Sequence, residues 1–434
     1  MSTTAPVRWF SRSRQAADAV PSRAPEVDTA FDPADFTPAL QTRLLILQPT
    51  PFCNIDCSYC YLPQRDSRAR MSLATVRQAA QRLRDDGLLG SELTVVWHAG
   101  EPLAMPLPFY EAAFSVLDDE LGRATTLTHS IQTNATLIDD DWCALFERRS
   151  VRIGVSVDGP ALLHDRHRRT RSGHGTHAAT LRGMALLRAH GIAFHAIAVV
   201  TEATFEHTDA FIDFFVAAGV TELGCNFDEA EGTHAASSLA GREDAHRAFI
   251  ARLLARSLRP PRGGVPPLRV RELVNALQLI AKPLPQVQWQ GVALPDNAQT
   301  WPFALLSVAH NGDFSTFSPE LLGQPAAIYD DFVIGNVATS GYLDAARGSA
   351  AFARLWHAVQ RGTEACRSSC AHFNYCGGGA PANKFYENGD IASAETLYCR
   401  TMIKRPFDAV LAQLERDAAA ASTRMRALPE PEFQ

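Results

Sequence analysis

Three cysteines stand close together in the stretch TPFCNIDCSYCYLP, residues 50–63, as Cys53, Cys57 and Cys60. Three thiolates on this three-cysteine loop can hold three irons of a [4Fe–4S] cube and leave the fourth iron without a protein ligand. Such an iron can bind a small chelating molecule and pass it one electron. The alternatives are buried free cysteines or a zinc site, which needs a fourth ligand such as His98. The spacing favours the cluster over zinc.

Four more cysteines form a second set near the C-terminus: Cys366, Cys370, Cys376 and Cys399. Four thiolates can saturate either a zinc ion or a complete iron–sulfur cluster. Three glycines, residues 377–379, remove side chains beside Cys376, so backbone amides could approach cluster sulfurs or a substrate strand. The remaining two cysteines, Cys143 and Cys225, lie in apolar patterns and are expected in the core.

Short apolar runs alternate with amphipathic stretches along the chain. The strands and helices that they predict must position the two cysteine sets. The predicted strands span residues 43–50, 93–98, 129–134, 151–159, 193–201 and 221–227. Helical patterns between them include residues 72–87, with Ser72 as N-cap, and residues 139–149. Six alternations imply parallel strands with right-handed crossovers. The sequence therefore predicts an α/β fold, an open partial (β/α)6 barrel of TIM type, whose C-terminal strand ends carry the chemistry.

The pattern changes after the last predicted strand. Helices are expected at residues 240–257 and 268–281, separated by the breaker run 259–267. Residues 303–318 predict a hairpin around an Asn-Gly turn. The predicted divisions are residues 1–40, a loosely packed and flexible extension, 41–300, the core domain, and 301–434, the second cysteine domain with a C-terminal helix.

Composition limits the classes of function. The chain has 434 residues, 46% hydrophobic and 20% charged, which is ordinary for a globular protein. A net charge of −6 gives no excess of basic side chains for binding phosphates, so nucleic acid is not expected as a partner. The sequence shows no apolar run of the roughly 20 residues that a membrane span needs and no secretory signal at its N-terminus. Nine cysteines in ligand-like groups predict a reducing cytoplasm.

The three-cysteine loop, with Tyr59 just before its last cysteine, resembles that of the radical S-adenosylmethionine (SAM) enzymes. The resemblance covers residues 43–230 and includes HAGEP at 98–102, where that family usually has Gly-Gly-Glu-Pro and Ala99 replaces the first Gly. It implies a SAM-binding [4Fe–4S] cluster on the loop. The cofactor contacts that it implies are Tyr59, Gly100, Glu101, Asn134, Ser156, Asp158 and Arg168.

The basic run at residues 164–176 leaves the arginine assignment open. A solvated basic loop is the alternative to a carboxylate contact by Arg168, because several arginines lie together there. Asp228, Glu229 and Glu231 follow the last predicted strand and are expected to form a solvated acidic turn. A carboxylate at that strand end could instead accept a proton from the substrate.

The second cysteine segment, residues 366–400, resembles the SPASM-type extension of radical SAM enzymes that modify peptides. A full extension carries seven cysteines for two auxiliary clusters, but the hairpin here has none. The count therefore fits one auxiliary [4Fe–4S] cluster. Blocks from residue 43 to 404 are similar to the cyclophane-forming peptide maturases of the glycine-rich-repeat (GRRM) type.

This resemblance implies an enzyme that cleaves SAM and uses the 5′-deoxyadenosyl radical to crosslink an aromatic side chain to a nearby β-carbon in a ribosomal precursor peptide. Reduced flavodoxin or ferredoxin would donate the electron. Within the class, the alternatives are sulfatase maturation, thioether formation and epimerisation. Outside it, the alternative is a non-enzymatic iron–sulfur or zinc protein.

Overall fold

The computed structural model describes residues 31–258 and 267–426. The strands are β1 (Phe36–Thr37), β2 (Thr42–Leu47), β3 (Ile55–Cys57), β4 (Leu89–Trp97), β5 (Thr126–Thr133), β6 (Arg152–Ser156), β7 (Arg168–Thr170), β8 (Phe194–Val200), β9 (Glu222–Phe227), β10 (Arg269–Val270), β11 (Gln286–Trp289), β12 (Val292–Pro295), β13 (Leu305–Val308), β14 (Asp313–Thr316) and β15 (Gly335–Asn336). The helices are α1 (Leu73–Asp85), α2 (Leu107–Leu121), α3 (Asp140–Arg149), α4 (Ala161–His167), α5 (His177–Ala189), α6 (Glu202–Glu206), α7 (Thr208–Ala217), α8 (Glu243–Ser257), α9 (Arg271–Ala281), α10 (Tyr342–Gly348), α11 (Ala350–Ser369), α12 (Phe373–Cys376), α13 (Pro381–Asn388) and α14 (Arg405–Arg426). Short 3-10 turns span Pro33–Asp35, Pro102–Ala104 and Ala327–Phe332, and a π-helical turn spans Cys399–Lys404.

One sheet of ten strands organises the fold, in the order β10-β9-β8-β6-β5-β4-β2-β13-β14-β15. The strands from β2 to β9 in this order are parallel neighbours. They are the six strands that the sequence predicts, so the α/β class and the parallel barrel core are confirmed. Parallel order brings all six C-terminal strand ends to one rim of the sheet.

The hairpin after residue 300 extends this same sheet. β13 pairs parallel with β2, with Leu305 opposite Leu44, and antiparallel with β14. Gly312 has a φ of +92° in the connecting turn, which an asparagine-glycine pair accommodates. The predicted hairpin is therefore confirmed, and the core sheet continues across the predicted boundary at residue 300.

Helix α1 shows how the outer layer packs on the sheet. Ser72 accepts a hydrogen bond from the Thr75 amide at 3.0 Å and caps the helix as predicted. The buried side chains recur at helical spacing and are Val76, Ala79, Ala80 and Leu83. This spacing turns one apolar stripe to the core and leaves Arg77 and Arg84 exposed on the opposite face.

The predicted N-terminal extension needs correction at its end. Residues 1–30 lie outside the described residues, as do most of the breaker run (259–266) and residues 427–434. Phe31 and Phe36 are buried, and both pack against Trp356 on α11. Residues 31–40 are thus anchored to the core, because two buried aromatic side chains hold a segment that is otherwise largely exposed.

Among the helices of residues 31–258 and 267–426, none has the length and apolar character that crossing a bilayer requires.

Candidate active site

The three-cysteine loop follows β2 and is fixed by backbone contacts. Cys57 lies in β3, which pairs antiparallel with β7 so that it stands opposite Arg168. The Cys53 amide donates to the Arg65 carbonyl at 3.1 Å, and the Arg171 guanidinium donates to the Cys53 carbonyl at 2.9 Å. These bonds use main-chain groups and basic side chains, so the thiols stay available as ligands.

The thiols of this loop fit a metal cluster. Burial raises the pKa of both Cys53 and Cys57 to about 12, and each thiol also lies near Cys60. All nine cysteines of the chain are free. Buried thiols near one another become thiolates when cations neutralise them, which the irons of a cluster supply.

A single metal ion fits less well at either cysteine set. Within residues 31–258 and 267–426, no three His, Cys, Asp or Glu side chains gather around one ion position. Zinc needs its thiolates about 2.3 Å from one point, whereas a cube spreads its ligands over separate irons. The proposed fourth zinc ligand, His98, does not complete such a site.

The turn after β4 lies directly against the three-cysteine loop. Ala99 and Gly100 both have positive φ, +73° and +58°. A Cβ on Gly100 would lie 2.5 Å from the carbonyl oxygens of Thr50 and Phe52, so only glycine fits there. Ala99 adopts a conformation that favours glycine, the residue that the resembling family usually has at this place.

Glu101 is almost fully buried, with 1% of its surface exposed. Its carboxylate accepts hydrogen bonds from the Thr133 hydroxyl at 2.7 Å, the Asn134 amide at 2.8 Å and the Leu103 amide at 3.0 Å. Burial raises the pKa of Glu101, and these bonds oppose that rise. Three of about four acceptor positions are used within the protein, which leaves one for a ligand.

Asn134 connects the end of β5 to the three-cysteine loop. Its side-chain amide donates to the Asn54 side chain at 2.8 Å and lies 3.9 Å from Cys53 Sγ. The Asn54 amide in turn donates to the Thr136 hydroxyl at 2.8 Å. Asn134 therefore stands beside the first thiol, where the sequence predicts a cofactor contact.

Asp158, Arg168 and Tyr59 form one buried group. Arg168 donates to both Asp158 oxygens, at 2.9 and 3.0 Å, and the Tyr59 hydroxyl donates to the same carboxylate. Burial alone would raise the pKa of Asp158, but the adjacent Arg168 lowers it overall. The pair uses two of the five guanidinium N–H groups, so donors on Nη1 and the second N–H of Nη2 remain for a further contact. The basic run is not wholly solvated, since Arg168 is 7% exposed.

Ser156 ends β6 inside the barrel. Its hydroxyl accepts a hydrogen bond from the Gln132 side chain on β5 at 2.8 Å. Gly154 makes room for this contact, because a Cβ there would lie 2.0 Å from the Gln132 oxygen. The sequence analysis missed Gln132, whose position inside a barrel strand was the available signal.

The four-cysteine set lines one cavity of about 440 Å³, a volume that includes its open mouth. Burial raises the pKa of Cys376 to about 12, while the Gly378 and Gly379 amides that donate to its sulfur lower it. Glycines 377–379 all have positive φ, from +70° to +108°, which turns these amides towards the sulfur. The donors and the four thiols together fit an iron–sulfur cluster.

Three carboxylates, Glu229, Glu231 and Glu320, form a carboxylate cluster between the barrel rim and α13. Asn383 on α13 donates to Glu229, and the Tyr386 hydroxyl donates to the Glu320 carbonyl at 2.8 Å. Burial raises the pKa of Glu229 to about 8 and raises that of Glu231 as well. The prediction of a solvated acidic turn is therefore wrong for Glu229 and Glu231.

This cluster lies next to the three-cysteine loop. The Thr233 hydroxyl donates to the Cys60 carbonyl at 2.9 Å, and a Cβ on Gly232 would lie 2.2 Å from the Tyr61 carbonyl. The hydroxyl oxygen of Tyr61 is buried and has no hydrogen-bond partner among the described residues. A proton-binding carboxyl pair thus borders the loop that would hold the first cluster.

The two remaining cysteines, Cys143 and Cys225, are fully buried in the core, as predicted.

Comparison with known proteins agrees with this geometry. A family model described as the Radical SAM superfamily matches residues 47–215. The uncharacterized protein sll1766 of Synechocystis is 37% identical over 401 residues, which cover 91% of this chain and 98% of that protein. A serine-type anaerobic sulfatase-maturating enzyme of Klebsiella aerogenes is 36% identical over 182 residues, 41% of this chain and 45% of that enzyme. The match to this maturase therefore spans about half of its length.

Solved structures share the fold. The structure "Native anSMEcpe with bound AdoMet and Cp18Cys peptide" has a TM-score of 0.69 at 19% identity, covering 88% of this chain and 99% of that one. Streptococcus suis SuiB bound to precursor peptide SuiA has a TM-score of 0.57 at 14% identity, covering 83% and 76%. At these identities, the likeness is one of fold.

Proposed function

This chain belongs to the radical SAM superfamily, and on that premise we propose that it matures a ribosomally made precursor peptide by crosslinking it. It is an enzyme whose cofactors are SAM and [4Fe–4S] clusters. When bound, they supply a radical that removes hydrogen from an unactivated carbon. The finer assignment is a carbon–carbon bond between an aromatic side chain and a nearby β-carbon, as in maturases of the GRRM type.

The three-cysteine loop would hold the cluster that binds SAM. Its thiols are half-buried, close together and matched by no fourth cysteine on the loop. The residues proposed to contact SAM are Tyr59, Gly100, Glu101, Asn134, Ser156, Asp158 and Arg168. Asn134 lies beside Cys53, and Asp158 and Tyr59 stand at the barrel rim beside Cys57. The four-cysteine set would hold one auxiliary cluster.

One observation carries the proposal: Asn383, in the segment between Cys376 and Cys399, donates a hydrogen bond to Glu229 at the barrel rim. The second cysteine module therefore contacts the strand ends beside the three-cysteine loop. We propose that the two cysteine sets border one covered chamber, which would suit a reaction that must exclude water and pass a surplus electron on.

The carboxylate cluster gives this chamber a proton acceptor. Forming a carbon–carbon bond from two carbon–hydrogen bonds removes one hydrogen atom, one proton and one electron. In its carboxylate form Glu229 can accept the released proton, because its pKa, raised to about 8, makes that carboxylate a stronger base than an exposed glutamate. The auxiliary cluster would take the electron, and the radical the hydrogen atom.

The proposed partners are the precursor peptide and reduced flavodoxin or ferredoxin, in the cytoplasm. The titles of two neighbours of similar fold, anSMEcpe and SuiB, name bound peptides, which supports a peptide substrate here. Glycines 377–379 provide backbone without side chains at the cavity of the four-cysteine set, next to the proposed chamber.

Co-expression with a candidate precursor peptide, followed by mass spectrometry, tests the function. A crosslink should lower the peptide mass by about 2 Da per ring and suppress fragmentation inside the ring, because two hydrogens leave. An unchanged mass with D-residues would contradict the proposal and indicate epimerisation. A consumed cysteine, seen as lost iodoacetamide labelling, would indicate a thioether.

A sulfatase-maturase activity is the second candidate, favoured by the 36% identity to the Klebsiella enzyme over 182 residues. Oxidation of a serine hydroxymethyl group to an aldehyde would remove the same two hydrogens as a crosslink. A hydrazide probe separates the two outcomes, since only the aldehyde reacts with it. Labelled product with complete backbone fragmentation would replace the crosslinking proposal.

A further inference from the structure

A buried lysine lies against the four-cysteine set. The chain has three lysines among its 41 lysine and arginine residues, and two of them, Lys384 and Lys404, lie beside this set. Lys384, on α13, is 2% exposed. Its Nζ donates to Cys366 Sγ over 3.4 Å and to the Gly362 carbonyl over 2.8 Å. The ammonium group therefore faces a candidate ligand sulfur instead of solvent.

The backbone around Lys384 leaves the room that this contact needs. A Cβ on Gly362 would lie 2.9 Å from Lys384 Nζ and 2.3 Å from the Ile391 carbonyl oxygen. Gly379, on the other side, would bring a Cβ to 3.8 Å from Lys384 Cε and 3.4 Å from Cys399 Sγ. Glycine at position 362 lets the lysine reach the sulfur.

Among the described residues, the Lys384 ammonium group has no carboxylate partner. The ion pairs formed by the described residues do not include Lys384, whereas Lys404 pairs with Glu395 at 3.0 Å. A buried charge without a counter-charge is strongly unfavourable. Thiolates around an iron–sulfur core supply negative charge at this place, and that charge grows when the cluster is reduced.

We propose that Lys384 raises the reduction potential of the auxiliary cluster and so favours its acceptance of an electron. The inference rests on the proposed assignment of the four cysteines to one cluster. A cation and its N–H···S bond stabilise the more negative, reduced form over the oxidised form. The low dielectric of the buried site strengthens this preference.

Potentiometric titration of the full chain tests the role of Lys384. The three cysteines of the three-cysteine loop are first replaced by alanine, so that the auxiliary cluster alone is followed by electron paramagnetic resonance. Lys384→Met removes the charge and keeps the side-chain length, and Lys384→Gln keeps a donor without charge. Lys404→Met is the matched control, because its charge is already paired with Glu395 and partly exposed.

For Lys384→Met, we expect iron content equal to that of the parent and a reduction equilibrium at least tenfold less favourable. That change is a shift of about 59 mV to lower potential for one electron. Lys384→Gln should shift less, and Lys404→Met least. An unchanged or higher potential in Lys384→Met with full iron would overturn the inference.

Loss of iron from both Lys384 variants would also overturn it, because the lysine would then hold the site together instead of tuning it. A parent protein whose second cysteine set contains no iron–sulfur cluster would refute the cluster assignment itself. Iron analysis of the parent therefore separates failure of the proposed function from failure of the lysine's role.

Discussion

Replacing Glu101 with alanine should weaken folding as well as SAM binding. The carboxylate holds three donors, the Thr133 hydroxyl and the amides of Leu103 and Asn134, at 2.7 to 3.0 Å. Because the side chain is 1% exposed, water cannot replace it without entering the core. The sequence predicts a role for Glu101 in SAM binding and none in folding, and the second part is wrong because these hydrogen bonds hold the turn.

The size of the effect follows from the donors left unpaired. Each buried donor without a partner costs roughly 1–3 kcal/mol. If the Thr133 hydroxyl rotates to another acceptor, two amides remain, and Glu101→Ala should lose about 2–6 kcal/mol. Glu101→Gln keeps one acceptor oxygen and should lose about half as much. Total stabilities are about 5–15 kcal/mol, so a parent protein in the middle or upper part of this range tolerates both losses and both variants then fold.

Urea unfolding of the apoprotein, followed by circular dichroism, measures the change in the free energy of unfolding separately from any change in SAM binding. Glu111→Ala is the matched control, because its carboxylate is 47% exposed in a surface pair with Arg148 and should change stability by less than about 1 kcal/mol. An unchanged urea midpoint in Glu101→Ala would refute the reasoning. A less stable Glu101→Gln variant with normal SAM affinity would restrict Glu101 to folding.

Three further predictions concern the same site. Replacing the three cysteines of the three-cysteine loop by alanine should abolish 5′-deoxyadenosine formation and remove about half of the iron; continued SAM cleavage would contradict that assignment. Gly100→Ala should destabilise the apoprotein by roughly 2–4 kcal/mol, because the added Cβ would meet two carbonyl oxygens. Ala99→Gly should be neutral or stabilising by up to about 1 kcal/mol, because Ala99 already has a positive φ that favours glycine. Equal urea midpoints for these two variants would count against the strained turn. Burial raises the pKa of Glu229 from 4.5 to about 8, so the stability contributed by its neutral form is present at low pH and lost as pH rises through about 8. Urea midpoints should therefore fall between about pH 5 and about pH 8 in the parent and fall less in Glu229→Gln, and parallel profiles would disprove this.

Sequence alone predicted the features that depend on local pattern. The six parallel strands follow from apolar runs separated by amphipathic helices, and the hairpin follows from Asn311-Gly312. Ser72 as a helix cap is likewise a local signal, since its partner is three residues away. The two cysteine sets are visible because their members lie close together along the chain.

The rest depends on contacts between distant segments. Glu229 and Glu320 come from opposite ends of the fold, and each resembles a solvated carboxylate when its own neighbours alone are considered. Packing of α13 against Glu229 buries this carboxyl group and raises its pKa, and sequence spacing carries no signal for that contact. Phe31 was missed for a related reason, because its partners Phe352 and Trp356 lie far along the chain.

The pairing of β13 with β2 has a consequence for how this chain can be divided. β2 lies between β4 and β13, and its hydrogen-bonding groups are shared with both neighbours. A fragment ending at residue 300 would expose one side of β2 as a bare sheet edge next to the three-cysteine loop. Such edges pair with other chains and aggregate. The radical-generating half and the second cysteine module should therefore be expressed together as one unit.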